Sequence, residues 1–390
     1  MAGAHPLKQP EQISSSLGNK SNLFSVINDI NMINWTNRHL RFFKILIFSL
    51  AGLTVLVGVG YLIIPWNQPL DQPLALPPAT STTMPTPRST LTATDETQPT
   101  ATPSITPTPT IVPVCGGPPV MQVLISGVAS ESYRYGLADA IRIARIDFQL
   151  KKVTVLALPR DLWVQIPGLA HEDITVGKLN QAYFYGSEGM GYYSAGGYGS
   201  GLLAETLLAN YGYRADHYLA VNLSSFRRII DAMGGIDVYL PHNVYRQVNE
   251  KPVLYLAAGY HHLYGEDAET LARQRITIGD FGRIDHQSII LRAVAAKLLS
   301  PAGIAAVPSL VEQWKSNVKT DFSPADITQL ICLAGKLDYK EDIDFLTLPT
   351  ELMEQQRVYD PRLDKNTAAL IVDPDQVREL LGDFQAGIWP

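Results

Sequence analysis

The sequence predicts an α/β fold: one exported domain with a central mixed β-sheet flanked by helices, preceded by one transmembrane helix. Three observations predict it. After residue 114, short apolar blocks of strand length interleave with segments of helical spacing. Ile45 to Ile64 is uncharged throughout, about the 20 residues that cross a bilayer core. Between the two lies a stretch dominated by Pro, Thr and Ser, a composition that buries no core and favours extended conformations.

In chain order, residues 1–44 read as a cytoplasmic disordered tail, polar and without sustained period over most of their length. Residues 45–65 read as the anchor. Arg38, Arg41 and Lys44 stand just before the span, and no Lys or Arg follows until Arg88. The positive-inside rule therefore keeps the N-terminus in the cytoplasm and exports the rest. The stretch is long for a signal-peptide core, no small-residue cleavage site stands out, and the preceding tail is too long for one. Residues 66–113 read as an extracytoplasmic stalk. Residues 114–390 form the extracytoplasmic domain, with its core at 120–300 and a C-terminal helical part at 301–390.

Within that domain MQVLISGV, AIRIARID, VTVLALP, HYLAVNL and IDVYL carry the short apolar or alternating pattern of strands. LLAETLLANYG and SSFRRIIDAMGG follow helical spacing. The second opens on a serine cap and ends at Gly234 and Gly235. Further helices are expected at about 266–274, 284–299, 303–317 and 323–336. The last of these has Ser323 as cap and Pro324 in its first turn.

Composition narrows the chemistry. A formal net charge of −6 argues against nucleic acid as a partner, since that needs a broad basic surface. Two cysteines, Cys115 and Cys332, make neither a disulfide framework nor a cysteine zinc site. Outside the cytosol they are free to form one bridge, which sequence alone does not decide.

Three clusters have chemical character. Pro159-Arg160-Asp161 follows a strand, where ligands of α/β sheets collect; taken alone it reads as a surface ion pair. In LARQRITIGDFGRIDHQ, Arg273 and Arg275 close one helix and Arg283 opens the next. A helix N-terminus attracts anions, and the guanidinium fork matches phosphate oxygens; an ion-pair network with Asp280 and Asp285 is the bland alternative. Asp280-Phe281-Gly282 resembles a kinase motif, but the accompanying catalytic loop and glycine-rich strand pair are missing. In GKLNQAYFYG, Lys178 and Asn180 offer donors beside a glycine- and tyrosine-rich run to Gly201. Those glycines lack phosphate-loop spacing, and a mobile loop over a cleft is expected instead. His261-His262 lacks partners at metal-ligand spacing.

Taken in order, ALPRDLWVQIPG, KLNQAYFYG, DHYLAVNLSSFRRIIDAMGGIDVYL, LYGEDAETLARQR and GDFGRIDHQSIILRAVAAKLL resemble the successive signature blocks of the LytR–CpsA–Psr family. The resemblance covers about 120–300 and implies an apolar tunnel for a polyprenyl chain with a charged mouth for its pyrophosphate. It implies that Arg160, Arg273, Arg275 and Arg283 contact the pyrophosphate, with Lys178, Asn180 and Gln287 beside them. It assigns Asp139 to magnesium, and leaves Asp139 or Asp161 to orient the attacking hydroxyl. The chain departs from the pattern at four places: Ala129 replaces a second metal aspartate, and Glu131, Leu137 and His286 each stand where arginine is usual. Glu131 is the expected partial substitute for the missing carboxylate.

The function so implied is a phosphotransferase that moves a glycopolymer from a polyprenyl-pyrophosphate carrier to peptidoglycan at the cell membrane. The alternatives are a non-catalytic carrier-lipid scaffold or sensor, and a polyprenyl-pyrophosphate hydrolase.

Overall fold

The computed structural model describes residues 66–78, 112–276, 278–301, 303 and 318–389. The expected tail, the span at 45–65, most of the stalk and the helix expected at 303–317 lie outside them. Among the described residues no helix is long and apolar enough to cross a membrane.

Three long strands open the domain: β1 (Val120–Val128), β2 (Ala138–Asp147) and β3 (Lys152–Leu158). A short hairpin of β4 (Trp163–Gln165) and β5 (Val176–Lys178) follows, then helices α1 (Leu179–Gly186) and α2 (Tyr198–Tyr211). Next come β6 (His217–Asn222) and α3 (Leu223–Ala232), whose cap is Asn222 rather than the expected serine. The Asn222 side chain accepts from Ser225 N at 2.8 Å, and Gly234 and Gly235 take left-handed φ of 73° and 82° to end the turn. Strands β7 (Ile236–Leu240), β8 (Val244–Val248), β9 (Lys251–Leu256) and β10 (Gly259–Leu263) make two ribbons that lead into α4 (Gly265–Arg273) and the long α5 (Gly279–Leu298).

The part from 301 onward is not only helical. It holds α6 (Pro324–Ala334), capped by Ser323 and Asp326 in a reciprocal box, and α7 (Pro374–Ala386). It also holds β11 (Val318–Thr320), β12 (Ile343–Thr347) and the hairpin β13 (Glu354–Asp360) to β14 (Lys365–Ile371).

The main sheet runs β11-β6-β1-β2-β3-β12 and is mixed. β1 pairs in parallel with β6, and β3 with β12, while β2 is antiparallel to both β1 and β3. Four strands thus end at one rim, where β2 begins. Leu124, Ile141, Ile143, Leu156 and Leu158 bury one face against α1, α2 and α7. Met121, Val123, Ala144 and Val155 bury the other with Phe322 and Leu333. Helices therefore cover both faces.

The start of the expected stalk lies on the domain. Leu70 N donates to the Phe322 carbonyl, the Tyr218 hydroxyl to the Gln72 carbonyl, and Leu74 and Leu76 pack on the core. The glycine run beneath it is packed rather than lid-like. A Cβ at Gly196 would strike the Pro73 carbonyl, so glycine there permits close approach of two backbones.

Candidate functional site

The rim where β1 and β3 end and β2 begins carries the charged groups. Opposite Gly127 and Val128 the register of β2 slips by one residue, leaving Asp139 unpaired between Ala138 and Ala140. A bulge of this kind re-aims a side chain. The Asp139 carboxylate accepts from Arg160 Nη1 at 2.6 Å and Asn180 Nδ2 at 3.4 Å, and lies 4.0 Å from Arg283 Nη1. Arg160, just past β3, also stands 3.5 Å from Asp161 and 3.4 Å from Asp280. Lys178 Nζ closes on Asp161 at 2.9 Å. Lys178 and Asn180 sit at the start of α1, which is a buried helix rather than loop; Asn180 N donates to the Arg160 carbonyl at 3.0 Å, tying that helix to the Pro-Arg-Asp turn.

The helix bearing Arg283 begins earlier than its spacing suggests, at Gly279, so Arg283 lies inside the first turns and Asp280 takes the first. An acidic residue there suits the helix dipole. Arg283 Nη2 donates to Asp280 at 3.0 Å, and Arg275 Nη1 lies 3.7 Å from the same carboxylate. Asp280 is thus the hub of three arginines, whereas its sequence context suggests no more than an ion-pair partner.

Arg283 is 3% exposed. Burial, reinforced by the nearby Arg160 charge, lowers its pKa from the usual arginine range. Burial also acts to lower Arg160, but the Asp139 carboxylate overrides it, and the net shift is upward. Two guanidinium nitrogens, Arg160 Nε and Arg283 Nε, are buried with no hydrogen-bond acceptor. Arg160 Nε stands 3.5 Å from the Asp161 carboxylate, and both nitrogens have donor capacity left for an entering anion.

Other predicted residues lie elsewhere. Arg273 pairs with Glu269 at 2.8 Å and is largely exposed. Glu131 pairs with Arg227 at 2.7 Å, and Arg227 also holds Glu269; Glu131 makes no contact with Asp139. Gln287 donates to the Ala272 carbonyl at 3.3 Å and accepts from Arg142 at 3.5 Å. His286 is held by burial below the ordinary histidine pKa.

The donor set can be tested against magnesium. Asp139 and Asp280 are carboxylates, and Asn180 Oδ1 and Asp280 Oδ1 are buried without hydrogen-bond partners. All are hard oxygens of the kind magnesium takes. The described residues contain no group of three or more acidic, His or Cys ligands. One or two carboxylates, phosphate oxygens and water would complete the shell, which fits magnesium's habit of keeping waters.

At the opposite end of the sheet from these charges, where β2 ends and β3 begins, an apolar groove of about 320 Å³ lies between the sheet and α5 and α6, lined by Ile146, Val153, Leu298, Ile327, Leu330 and Leu337.

A profile described as the LytR_cpsA_psr family matches residues 99–380. The polyisoprenyl-teichoic acid–peptidoglycan teichoic acid transferase TagV of Bacillus subtilis (strain 168) is 32% identical over 190 residues, 48% of this chain and 45% of TagV. The chain thus spans about half the length of that relative. The regulatory protein MsrR of Staphylococcus aureus (strain COL) is 23% identical over 68% of this chain and 74% of its own. Among solved structures, B. subtilis TagV aligns with a TM-score of 0.54 at 25% identity, covering 68% of this chain and 97% of that one. TagT bound to LIIa-WTA shares the fold with a TM-score of 0.51 at 19% identity, covering 71% and 96%.

Proposed function

This chain belongs to the LytR_cpsA_psr family, and we propose that it transfers a glycopolymer from a polyprenyl-pyrophosphate carrier to peptidoglycan. The observation that carries the reading is the convergence of Arg160, Arg275, Arg283 and Lys178 on Asp139, Asp161 and Asp280 at one rim of the sheet, with an apolar groove farther along the same sheet under α5. A diphosphate with a long apolar tail has these two halves. The resemblance to TagV, named for the transfer of teichoic acid to peptidoglycan, supports the same class of reaction.

In the proposed reaction a peptidoglycan hydroxyl attacks the phosphorus that bears the glycan. The new P–O bond forms a phosphodiester, the anhydride P–O bond breaks, and polyprenyl phosphate leaves with the electron pair. The hydroxyl proton passes to Asp139 or Asp161, the carboxylates at the rim. Arg160 and Arg283 hold the glycan-side phosphate under attack through their fixed forks. Magnesium, held by Asp139 with Asp280 and Asn180, would neutralise phosphate charge as it builds.

The span at 45–65, with its cationic flank, anchors the chain in the cell membrane and exports the catalytic domain. A second reading, carrier binding without turnover, draws on Ala129 at the usual position of a metal carboxylate.

The test uses the full chain in detergent with an undecaprenyl-pyrophosphate-linked glycan and peptidoglycan fragments. Magnesium-dependent attachment of glycan, lost in Arg283→Ala, is the expected result. Lipid retained without any attachment would replace the transferase with the carrier-binding reading. Protease protection of residues 1–44 in sealed cells, with cleavage beyond residue 66, checks the orientation.

A further inference from the structure

Arg142 lies in the middle of β2, and its side chain is 3% exposed. It points to the sheet face that carries Ala144 and Ile146, under α5. Its three hydrogen bonds all use Nη2, to the Ile284 carbonyl at 3.2 Å, Ser288 Oγ at 3.4 Å and Gln287 Oε1 at 3.5 Å. No carboxylate among the described residues lies within ion-pairing distance. Asp285, whose charge favours the guanidinium, is exposed on α5, and the buried Arg283 opposes it.

A buried cation without a counter-charge is strongly unfavourable. Burial, with Arg283 adding to it, pushes the Arg142 pKa down to about 10, so the group stays charged at neutral pH. A fold that keeps such a charge has a use for an anion beside it. Its place says which one. Along β2, Arg142 falls between Asp139 at the mouth and Ile146, which lines the apolar groove. The step from Arg142 to Ile146 is about 13 Å of strand. Along α5, the same order runs from Arg283 past Ser288 to Leu298.

We infer that Arg142 binds the carrier phosphate nearest the lipid chain, on the path along β2 from mouth to groove. This rests on the mouth being a pyrophosphate site. Arg160 and Arg283 then serve the glycan-side phosphate, while Arg142 reads the phosphate that remains on the lipid after transfer. The pairing gives the site a means to hold both the diphosphate substrate and the monophosphate product.

The test measures binding of undecaprenyl pyrophosphate, undecaprenyl phosphate and undecaprenol to the full chain in detergent. Arg142→Met is expected to lose about 10-fold or more in affinity for both phosphates, the worth of one charge-assisted hydrogen bond or more. Its affinity for undecaprenol should be unchanged. Arg160→Ala should weaken the pyrophosphate more than the monophosphate. The unliganded Arg142→Met chain should melt no lower than wild type, because an unpaired buried charge has been removed. Arg142→Lys, which keeps the charge, should recover part of the affinity and guards against a folding defect in the methionine variant.

Wild-type affinity for both phosphates in Arg142→Met, with Arg160 dependence intact, would overturn the role of Arg142 alone. So would a lower melting point with normal phosphate binding, the mark of a clamp on α5. A wild-type chain that binds undecaprenol as well as its phosphates would overturn the mouth reading and this inference with it.

Discussion

The bridge between Cys115 and Cys332 joins residues separated by 217 positions. It ties the short turn before β1 to α6, whose Ile327, Leu330 and Leu333 form one wall of the apolar groove. Cross-linking removes conformations from the unfolded chain, and for a loop this long the chain-entropy relation gives about 5 kcal/mol. The same relation has no term for native strain, so the figure is an upper bound. With a urea dependence of about 3 kcal/mol per M, the top of the range for small domains, the unfolding midpoint should fall by about 1.7 M. The perturbation is Cys115→Ser with Cys332→Ser, compared with the wild-type chain before and after reduction. The assay is urea unfolding followed by fluorescence, repeated with bound undecaprenyl phosphate. Reduction and double substitution should give the same midpoint. The ligand should stabilise the bridged chain more, because α6 is then held against the groove. A shift below about 0.3 M, or roughly 1 kcal/mol at that slope, would refute the idea that this bridge closes a long and otherwise open loop.

Four further outcomes follow from the site. Arg160→Ala removes the one cation shared by Asp139, Asp161 and Asp280, and glycan transfer should fall by about 10²- to 10³-fold, read as kcat/KM. Asp280→Asn releases three arginines from one carboxylate; inorganic pyrophosphate should then bind more tightly without magnesium, measured by calorimetry, while transfer declines. Ala129→Asp restores a hard ligand on the residue whose N–H bonds the Leu137 carbonyl, two positions before Asp139; magnesium titration should show tighter binding, and no change would exclude this position from the metal shell. At His217, burial opposes the charge, but Asp321, with Asp326 and Asp216 nearby, raises the pKa above the ordinary value. A raised folded-state pKa stabilises fully below the unfolded value of about 6.5 and loses that contribution as pH rises through the folded one. His217→Gln should therefore cost more stability at about pH 5.5 than at about pH 8.5, by thermal melting.

Strands with a clear alternating or apolar run are legible in the sequence: β1, β2, β3, β6 and β7 all lie where their patterns put them. So is the charge at the end of β3, because a strand end in an α/β sheet is a physical location as well as a sequence position. The features that sequence leaves hidden have non-local causes. β11 is three residues long, too short for a period, and β12 becomes a strand by pairing with β3 nearly 190 positions earlier in the chain. Arg142 is buried by α5, an element far away in sequence. The bulge that frees Asp139 has no residue signature at all. Glu131 is a reasonable substitute by sequence distance, but Arg227 comes from α3 to take its carboxylate. The leucines at 70, 74 and 76 do carry a local signal: apolar residues in a proline-rich segment, spaced to reach the domain.

The charge arrangement bears on selectivity. Four cations at the mouth, Lys178, Arg160, Arg275 and Arg283, are already matched by three carboxylates. An entering anion therefore exchanges ion pairs rather than adding to bare charge, and a weakly charged ligand gains little from the exchange. A diphosphate, with several oxygens and dense charge, can displace Asp139 and Asp280 from their arginines at once. The released carboxylates are then free for a metal ion or for the hydroxyl proton. Arg142 alone has no carboxylate to surrender. Its contact with phosphate is a net gain, so it should contribute more to the difference between phosphorylated and unphosphorylated carrier than any arginine at the mouth.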